Sequence, residues 1–373
     1  MSIKVFATKD ILNDRWAIKI LGEHSLSYEL IDSEDEIHQI CPGSDPKTSI
    51  LLTRSKGEVV KNCPGTQESY LCCGYKVINQ TLNCPMECTY CILQYYLNQP
   101  ATVVYTDFDR IFSQVDSLLK NSEGKILRIG TGELSDSLAL PGSIIFAREA
   151  IKFFSSKKDV FFELKTKTVN VNSLIGIHHG DNIVISWSLN PDSVIAKEEK
   201  KASSLRSRID SARKAMEDGY LVGFHFDPII LHNGWEENYR EIVHLIYENI
   251  PPERIAWISL GSLRFPPTTK EKIARRHPET RIIFQEMIKG LDGKLRYPRP
   301  LRVKMYRLIF EELKKVDNPP FIYFCMESQS VWKDVTGITP QNNKNFEFIF
   351  ARSLFERFPE LKLTPPREEI YLR

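Results

Sequence analysis

The sequence lacks the features that tie a protein to a membrane or to an export route. Its 373 residues contain no uninterrupted apolar run of the roughly 18 residues that a membrane-spanning helix requires. The first residues, Met1 to Phe6, lack the basic start, apolar stretch and small-residue cleavage site of a signal peptide. These absences predict a cytoplasmic protein without a membrane partner, whose cysteines serve as metal ligands more often than in disulfides.

The sequence also lacks a strong charge of one sign. Lys and Arg total 50 against 48 Asp and Glu, a formal net charge of +2. This balance gives no argument for nucleic-acid binding from overall charge, so such an argument must come from local clusters. Low-complexity segments and internal repeats are absent as well, and the length suits one large domain or two ordinary ones.

Three of the eight cysteines share one short loop. Cys84, Cys88 and Cys91 have the spacing C-x3-C-x2-C, and Tyr90 precedes the third. Closely spaced thiolates hold iron–sulfur clusters, and three of them leave one iron of a four-iron cluster open to a ligand. Zinc is an alternative, but it takes four ligands, often as two C-x2-C pairs, and no matching C-x2-C or H-x3-H follows. Incidental cysteines are the other alternative.

In its spacing and its aromatic residue, this loop resembles that of the radical S-adenosylmethionine (SAM) enzymes. The resemblance implies that the three cysteines hold a [4Fe–4S] cluster whose open iron binds the methionine end of SAM. It also implies that one electron, from a donor such as flavodoxin or ferredoxin, cleaves SAM to a 5′-deoxyadenosyl radical. In such a site the cofactor carries the difficult chemistry and the protein positions it.

From about residue 76, strands and helices alternate. The pattern predicts strands at 75–81, 125–130, 160–165, 182–189, 220–226 and 254–260, with helices at 107–120, 143–154, 202–218, 235–249 and 268–277. Such alternation implies a parallel sheet, and six strands predict an α/β fold with a partial (β/α)6 barrel of the TIM type. We expect a small N-terminal α/β cap without repeating β/α units over 1–75, the barrel over 76–280, and a C-terminal extension over 281–373 with a hairpin, a buried strand at 321–325 and further helices.

Candidate SAM-binding residues follow the predicted strands, where the functional residues of parallel barrels collect. Gly132 permits close approach of the backbone to a ligand, and Glu133 can accept from an ammonium group. Lys165 ends the third strand and is placed to pair with a methionine carboxylate. The remaining candidates are Ser135 after the second strand, Ser188 and Asn190 at the end of the fourth, and Asp227 after the fifth. Solvated or packed residues are the ordinary alternative for each.

The run from Asp227 to Arg240, DPIILHNGWEENYR, makes the resemblance more specific. Together with the cysteine loop, Leu134-Ser135-Asp136, Lys165 and Ser188-Leu189-Asn190, it is similar to the spore photoproduct lyase family over about residues 76–300. That family reverses a thymine–thymine lesion in DNA with a SAM-derived radical. The resemblance implies that Ser135, Lys165 and Ser188 bind SAM, and that Tyr90 flanks the cluster.

Two positions depart from the family's pattern. Where the lyases have a cysteine that returns a hydrogen atom to the product, this chain has Glu133, and where they have a tyrosine of the same relay it has Ile92. A carboxylic acid is a poor hydrogen-atom donor because its O–H bond is strong. The candidate replacements are Cys325 at the end of the predicted strand 321–325, and Tyr95, Tyr96 or Tyr297. Ordinary core packing is the alternative for all of them.

Four further cysteines precede the loop, namely Cys41, Cys63, Cys72 and Cys73. Soft ligands of this kind suit zinc or an auxiliary cluster. Their spacing matches no defined pattern, so a second metal site and ordinary buried cysteines both stay open.

The segment from Lys270 to Arg307 is strongly basic, with 12 Lys or Arg against 4 Asp or Glu. It contains a predicted hairpin turn at residues 290–293. Basic residues interleaved with aromatics suit phosphate binding and base stacking, and in the lyases the equivalent hairpin wedges into DNA. Arg296, Tyr297 and Arg299 are therefore predicted to bind a nucleic-acid substrate, with a solvated surface as the alternative.

These features favour a radical SAM lyase that repairs a DNA photoproduct, beginning with hydrogen abstraction from a base. Glu133 and Ile92 favour an alternative, a radical SAM enzyme of the same architecture that acts on a modified RNA base or a peptide. A non-catalytic DNA-binding relative would have lost the cluster loop, which is intact here.

Overall fold

The computed structural model describes residues 3–41, 47–65, 69–96, 99–122 and 124–372. Its strands are β1 (Lys4–Thr8), β2 (Glu29–Ile31), β3 (Ser49–Thr53), β4 (Val60–Asn62), β5 (Lys76–Ile78), β6 (Thr81–Leu82), β7 (Thr102–Tyr105), β8 (Leu127–Thr131), β9 (Val160–Thr166), β10 (Ile183–Ser188), β11 (Leu221–Ile229), β12 (Ile255–Ser262), β13 (Arg264–Phe265), β14 (Ile288–Lys289), β15 (Leu295–Arg296) and β16 (Phe321–Phe324).

The helices surround these strands. They are α1 (Arg15–Glu23), α2 (Ile37–Ile40), α3 (Leu93–Tyr96), α4 (Phe108–Asn121), α5 (Pro141–Ser155), α6 (Asp192–Glu198), α7 (Leu205–Glu217), α8 (Trp235–Asn249), α9 (Thr269–Arg276), α10 (Arg299–Leu313), α11 (Gln329–Thr336), α12 (Asn343–Arg357) and α13 (Glu368–Leu372). Short 3-10 turns lie at Lys9–Ile11, Glu34–Glu36, Pro252–Arg254, Ile282–Phe284 and Pro359–Leu361. Within the described ranges, no helix combines the length and the apolarity needed to cross a bilayer.

The larger sheet has eight strands in the order β16-β12-β11-β10-β9-β8-β5-β4. All neighbouring pairs from β16 to β5 are parallel, and β4 is antiparallel to β5. The six predicted barrel strands correspond to β5 and β8 to β12, and the sheet curls into a half barrel, so the predicted fold class is confirmed. The predicted C-terminal strand, β16, adds a seventh parallel strand to the same sheet.

A second sheet, in the order β2-β1-β3-β7-β6, forms the N-terminal part. Its strands β1, β2, β3 and β7 are parallel, with helices between them, so the expectation that this part has no repeating β/α units is wrong. The short strands misled the sequence reasoning, although β3 is buried at all five positions. Residue 75 does not separate the two sheets. Strand β7 follows residue 75 in the chain but belongs to the N-terminal sheet, and β4 precedes it but belongs to the half barrel. The division at residues 75 and 280 therefore stays a prediction about independent folding units.

Helices cover the outer face of the half barrel, so its strands are buried on both faces. All six residues of β10 and all eight of β12 are buried, as expected for parallel strands between two layers. Helix α5 alone has eight buried residues. The carboxyl ends of the parallel strands open at one end of this core, and that end holds the candidate site.

Candidate active site

One cavity of about 290 Å³ lies at the carboxyl ends of the parallel strands. Its wall brings together residues from segments that are distant in the sequence. They are Cys84, Cys88, Tyr90 and Cys91 of the cluster loop, the strand-end residues Gly132, Glu133, Ser135, Lys165, Ser188 and Asp227, and the relay candidates Tyr96 and Cys325. A single cavity, open at one side, therefore connects the predicted cluster site, cofactor site and relay.

The three loop cysteines suit a cluster better than a single ion. Within the described parts of the chain, no three His, Cys, Asp or Glu side chains are grouped so that they could share one metal ion. A zinc ion would need its sulfur ligands together at about 2.3 Å from the metal, whereas a four-iron cluster takes each thiolate at a different iron. Burial raises the pKa of all three thiols, that of Cys88 to about 12, so they ionise only when a metal replaces the proton.

The segment after α6 fixes the cluster loop. The backbone of Cys88 pairs with that of Glu199 as an isolated antiparallel bridge, and the Thr89 N–H donates to the Glu198 carbonyl at 2.8 Å. The Glu198 carboxylate accepts from the Thr89 hydroxyl and, at 2.7 Å, from the Thr280 hydroxyl. Backbone and side-chain contacts thus hold the middle of the loop against the barrel.

Glu199 is the centre of a buried network beneath the loop. Its carboxylate accepts from the Tyr90 hydroxyl, from Arg208 at 2.6 Å, from Asn190 at 2.9 Å and from Lys167 at 3.1 Å. The side chains of Glu199 and Arg208 are both 0% exposed. Burial opposes ionisation, but the charges of Lys167 and Arg208 outweigh it and lower the pKa of Glu199 to about 2. Glu199 therefore stays ionised at neutral pH, and its hydrogen bond holds Tyr90 on the cavity wall.

Asn190 belongs to this network and not to the cavity wall, contrary to its prediction as a cofactor-binding residue. Its Nδ2 donates to Glu199, and its Oδ1 accepts from the Tyr239 hydroxyl at 2.8 Å. Because both ends of the amide are used inside the protein, Asn190 positions Glu199. Glu199 and Arg208 could not be predicted as site residues, since they follow no strand and belong to no motif.

Replacing Glu199 with Gln is expected to lower the free energy of unfolding by about 3 kcal/mol at neutral pH, because it leaves a buried cation without its partner. The folded-state pKa lies below the ordinary 4.5, so the contribution of the carboxylate is complete above that value and is lost as the pH falls towards 2. Urea unfolding of both proteins at several pH values measures this. The difference should shrink in acid, and a pH-independent difference would contradict the ion pair as its source. Glu279→Gln, at an exposed ion pair, is the matched control, and its effect is expected to be much smaller because solvent screens that pair.

The loop after β8 approaches β9 unusually closely. Gly132 has a φ of 96°, and a Cβ there would lie 2.7 Å from the Lys165 carbonyl oxygen, so only glycine fits. Asp136 fixes the same loop through three hydrogen bonds of 2.7 to 2.9 Å, from the Leu138 N–H, the Thr166 hydroxyl and the Lys167 N–H. These contacts set the direction of the intervening residues.

Ser135, in that loop, carries a hydroxyl without a partner. Its side chain is buried, lines the cavity, and has no hydrogen bond to any described residue. A buried hydroxyl left unpaired costs about 1–3 kcal/mol, so this position suits a ligand that completes the bond. Beside it, the Lys165 ammonium lies 3.5 Å from the Glu133 carboxylate. Burial disfavours the charged form of Lys165, but Glu133 and Glu163 outweigh it and raise its pKa, which keeps a cation on the wall.

Asp227 acts on the cavity through Arg264. The two side chains form a two-pronged ion pair with N–O distances of 3.1 and 3.2 Å, and Arg264 also donates to the Cys325 sulfur at 3.4 Å. Burial opposes ionisation of Asp227, but Arg264 lowers its pKa. The carboxylate is thus committed to a neighbour that orients the thiol.

Cys325 follows β16, and its N–H donates to the Leu260 carbonyl at 2.8 Å, which continues the pairing with β12. Burial raises the pKa of its thiol to about 12, against the opposing charge of Arg264. The side chain is therefore a protonated thiol on the cavity wall.

The tyrosines predicted as relay candidates differ in their position relative to the cavity. Tyr96 lines the cavity and is 53% exposed, so it lies at the rim. Tyr297 is fully buried away from the wall, with its hydroxyl donating to Gln285 at 2.6 Å and accepting from the Leu231 N–H at 3.1 Å. A relay role or a substrate contact for Tyr297 is not supported by this placement. The side chain of Tyr95 lies outside the described residues.

The predicted hairpin is formed by β14 and β15. The arginine of its second strand, however, does not face solvent as substrate binding would require. Arg296 is 1% exposed, with its guanidinium bound to Asp292 at 2.6 Å and to the Met326 carbonyl at 3.0 Å. The prediction that it binds substrate phosphates is therefore wrong in this structure, because it braces the hairpin from within. Arg299 is exposed but binds Asp334. Sequence reasoning missed Lys294, which lines the cavity.

The additional cysteines lie in two places. Cys63 and Cys73 line the cavity, and Cys72 is buried beside them in the chain. Cys41 lies in a separate apolar cluster with Phe6 and Leu51. Among the residues that the structure describes, none of these cysteines belongs to a group of three or more side chains that could hold a single metal ion.

Comparison with known proteins gives a consistent result. A family model described as spore photoproduct lyase matches residues 67–300. Spore photoproduct lyase of Clostridium acetobutylicum is 25% identical over 200 residues, which is 53% of this chain and 59% of that protein. The Bacillus subtilis lyase is 28% identical over 206 residues, 54% of this chain and 60% of that protein. The match thus spans less than two thirds of the length of these relatives.

Solved structures extend the likeness over more of the chain. A spore photoproduct lyase variant with dinucleoside spore photoproduct superposes with a TM-score of 0.76 at 21% identity, covering 88% of this chain and 99% of that one. A variant with bound AdoMet and dinucleoside spore photoproduct gives 0.75 at 20% identity, with the same coverage. These likenesses establish the fold. Since the family model covers well over half of the chain, including the cluster loop and the strand-end loops, this chain belongs to the spore photoproduct lyase family of radical SAM enzymes.

Proposed function

We propose that this protein is a radical SAM lyase that repairs a DNA photoproduct, starting with hydrogen abstraction from the damaged base. One observation carries the proposal. The cavity at the strand ends joins the three cluster-loop cysteines, an unpartnered Ser135 hydroxyl and a protonated Cys325 thiol. The relatives support it, because one solved lyase variant is described with both AdoMet and dinucleoside spore photoproduct.

The chain's own residues would hold the cofactors as follows. Cys84, Cys88 and Cys91 provide thiolates to a [4Fe–4S] cluster, and the Lys165 ammonium neutralises the carboxylate of SAM. The Ser135 hydroxyl gains the hydrogen bond that it lacks, and Gly132, Glu133 and Ser188 line the same space. Bound SAM, given one electron by a flavodoxin or ferredoxin, supplies a 5′-deoxyadenosyl radical.

Cys325 would return the hydrogen atom after abstraction. Its S–H bond is weak compared with the O–H bond of Glu133, and its raised pKa keeps the proton in place at neutral pH. Arg264, held by Asp227, donates to the sulfur and fixes its direction. The thiol thus replaces, from a different strand, the cysteine that the family has at the Glu133 position.

DNA would approach past the hairpin. Its tip carries Leu291, which is 77% exposed, and its stem delivers Lys294 to the cavity wall. An exposed apolar side chain on a hairpin whose stem reaches the cavity suits a wedge that separates stacked bases, and a damaged base leaves the stack at lower cost than an intact one.

Exposed basic residues around the hairpin are expected to bind the phosphate backbone. Replacing Arg281 and Lys289 together with Ala should weaken binding to duplex DNA and lower the salt dependence of the affinity by about two ion equivalents, since each phosphate contact releases about one counterion. Fluorescence anisotropy at several salt concentrations measures both quantities. Arg206→Ala with Arg213→Ala, exposed on α7, is the matched control. Equal losses in both pairs would show that the hairpin region has no special role.

A second candidate function rests on Glu133. Its carboxylate pairs with Lys165 on the cavity wall, where the family has its hydrogen-donor cysteine. A carboxylate in place of a thiol favours a radical SAM enzyme of the same architecture with another substrate, such as a modified RNA base or a peptide.

One assay separates these functions. The anaerobically reconstituted, reduced protein is incubated with SAM and with ultraviolet-irradiated or unirradiated DNA. The 5′-deoxyadenosine formed and the thymine–thymine lesion left in the digested DNA are then measured. Repair predicts deoxyadenosine and loss of the lesion with irradiated DNA. Deoxyadenosine without loss of the lesion would support the second candidate, and the absence of deoxyadenosine under all conditions would refute both.

A further inference from the structure

Three cysteines outside the cluster loop face the same cavity, although they come from opposite edges of the half-barrel sheet. Cys63 follows edge strand β4, Cys73 precedes β5, and Cys325 follows β16 at the other edge. A curled sheet brings its two edges towards each other. Here the Leu71 N–H donates to the Glu327 carbonyl at 2.9 Å and joins them across the opening. The segments that carry Cys73 and Cys325 are therefore held together.

Aromatic and cationic side chains reinforce this junction. The Arg128 guanidinium, from β8, lies 5.2 Å from the ring centroid of Tyr75 at one edge and 5.2 Å from that of Tyr323 at the other. It also donates to the Tyr323 hydroxyl at 3.2 Å. Arg128 is fixed between the two sheet edges, beside Cys73 and on the wall of the cavity.

The two thiols differ in protonation. A hydrogen bond from Cys72 and the charge of Arg128 outweigh burial and lower the pKa of Cys73 to about 6. Burial raises the pKa of Cys325 to about 12, and the negative charge of Cys73 contributes to that rise. The lowered pKa of Cys73 favours its thiolate, and the raised pKa of Cys325 favours its thiol, so two sulfurs of different charge line the same cavity on segments that the fold holds together.

We propose that Cys73 and Cys325 form a redox pair, in which Cys325 gives a hydrogen atom to the substrate radical and Cys73 captures the sulfur radical that remains. The inference rests on the proposed function and deepens it, because it assigns the fate of the radical after product formation. Ile92, which stands where the family has a relay tyrosine, has an aliphatic side chain that cannot carry a radical, so an alternative acceptor is needed on the wall.

The steps balance. The product C–H bond forms as the Cys325 S–H bond breaks, which leaves a sulfur radical on Cys325. The Cys73 thiolate adds to it and forms a three-electron S–S bond that carries one negative charge. Loss of one electron to a low-potential one-electron carrier of the flavodoxin or ferredoxin class leaves a disulfide. A dithiol reductant then supplies two electrons and two protons, and Cys73 ionises again.

Disulfide mapping in the full-length, cluster-loaded protein tests the pair without relying on turnover. Mild oxidation with diamide, followed by alkylation and peptide mass spectrometry, is expected to give a Cys73–Cys325 disulfide as the main product. Cys63→Ser is the matched control, since Cys63 lines the same wall, and it should leave that disulfide unchanged. A main product that joins Cys63 or Cys72 to either residue, or no disulfide at Cys325, would overturn the proposal.

Turnover gives the second readout. Without dithiol, the wild-type protein should stop after roughly one product per chain with an equal amount of Cys73–Cys325 disulfide, and dithiol should restore turnover. Cys73→Ser should form the first product and no disulfide, with later turnovers at least about tenfold slower. Sustained wild-type turnover without dithiol and without disulfide would refute the pair. If no deoxyadenosine forms, the proposed function fails, whereas the mapping result on the pair stands by itself.

Discussion

Replacing any one of Cys84, Cys88 and Cys91 with Ala is expected to abolish SAM cleavage and to remove most of the iron. All three thiols lie on one cavity wall, with Cys88 buried and Cys84 and Cys91 half-buried, and contacts of the loop with Glu198 and Glu199 hold them there. Two thiolates hold a four-iron cluster poorly, and the nearby carboxylates Glu133 and Asp227 are engaged by Lys165 and Arg264. We expect about four irons per chain in the reconstituted wild type and well under one in each variant.

Iron analysis and quantification of 5′-deoxyadenosine measure this effect. Cys41→Ala is the control, since Cys41 is buried in the separate N-terminal cluster, and it should retain both the iron and the activity. If the loop variants kept full iron while Cys63→Ala or Cys73→Ala lost it, the cluster would have been assigned to the wrong cysteines.

The Cys325→Ala variant is expected to separate radical formation from product formation. Deoxyadenosine should still form, because Cys325 lies at the opposite sheet edge from the cluster loop and contacts Arg264. Product formation should fall about a hundredfold, equivalent to about 2.7 kcal/mol in the activation free energy, since the substitution removes the thiol that Arg264 orients. The ratio of product to deoxyadenosine is the quantity to measure.

Cys63→Ala provides the comparison for this second effect. It removes another thiol from the same wall and should change the ratio by less than about threefold, because it is not part of the Arg264–Asp227 arrangement. An unchanged ratio in Cys325→Ala, with a collapse in Cys63→Ala, would move the hydrogen-donor role to Cys63.

Periodicity and loop position predicted the half barrel because both depend on local sequence. Strands such as β10 have continuous apolar runs that are diagnostic of a buried parallel sheet. The sequence predicted an α/β N-terminal part but not its parallel β/α units, because its strands are short and separated by polar stretches, and because β7 reaches it from beyond residue 75. Strand exchange between sheets is a tertiary feature with no local signal.

The residues of the candidate site also differ in whether local sequence could predict them. Cys84, Ser135 and Lys165 were found because chemistry and spacing identify them within a loop or at a strand end. Glu199 and Arg208 were not found, since their role comes from burial against the loop from another segment. Arg296 was misplaced because a basic residue looks the same in sequence whether it faces a phosphate or, as here, an Asp four residues earlier.

DNA repair by this protein requires that the radical made beside Cys84, Cys88 and Cys91 takes a hydrogen atom from a damaged base within the same cavity. Transfer of deuterium from that base measures this step. Irradiated DNA with deuterated thymine is incubated with the reduced protein and SAM, and the 5′-deoxyadenosine is analysed by mass spectrometry. We expect deuterium in the deoxyadenosine with irradiated DNA and none with unirradiated DNA. Deoxyadenosine that forms with irradiated DNA and carries no deuterium would refute the proposed repair.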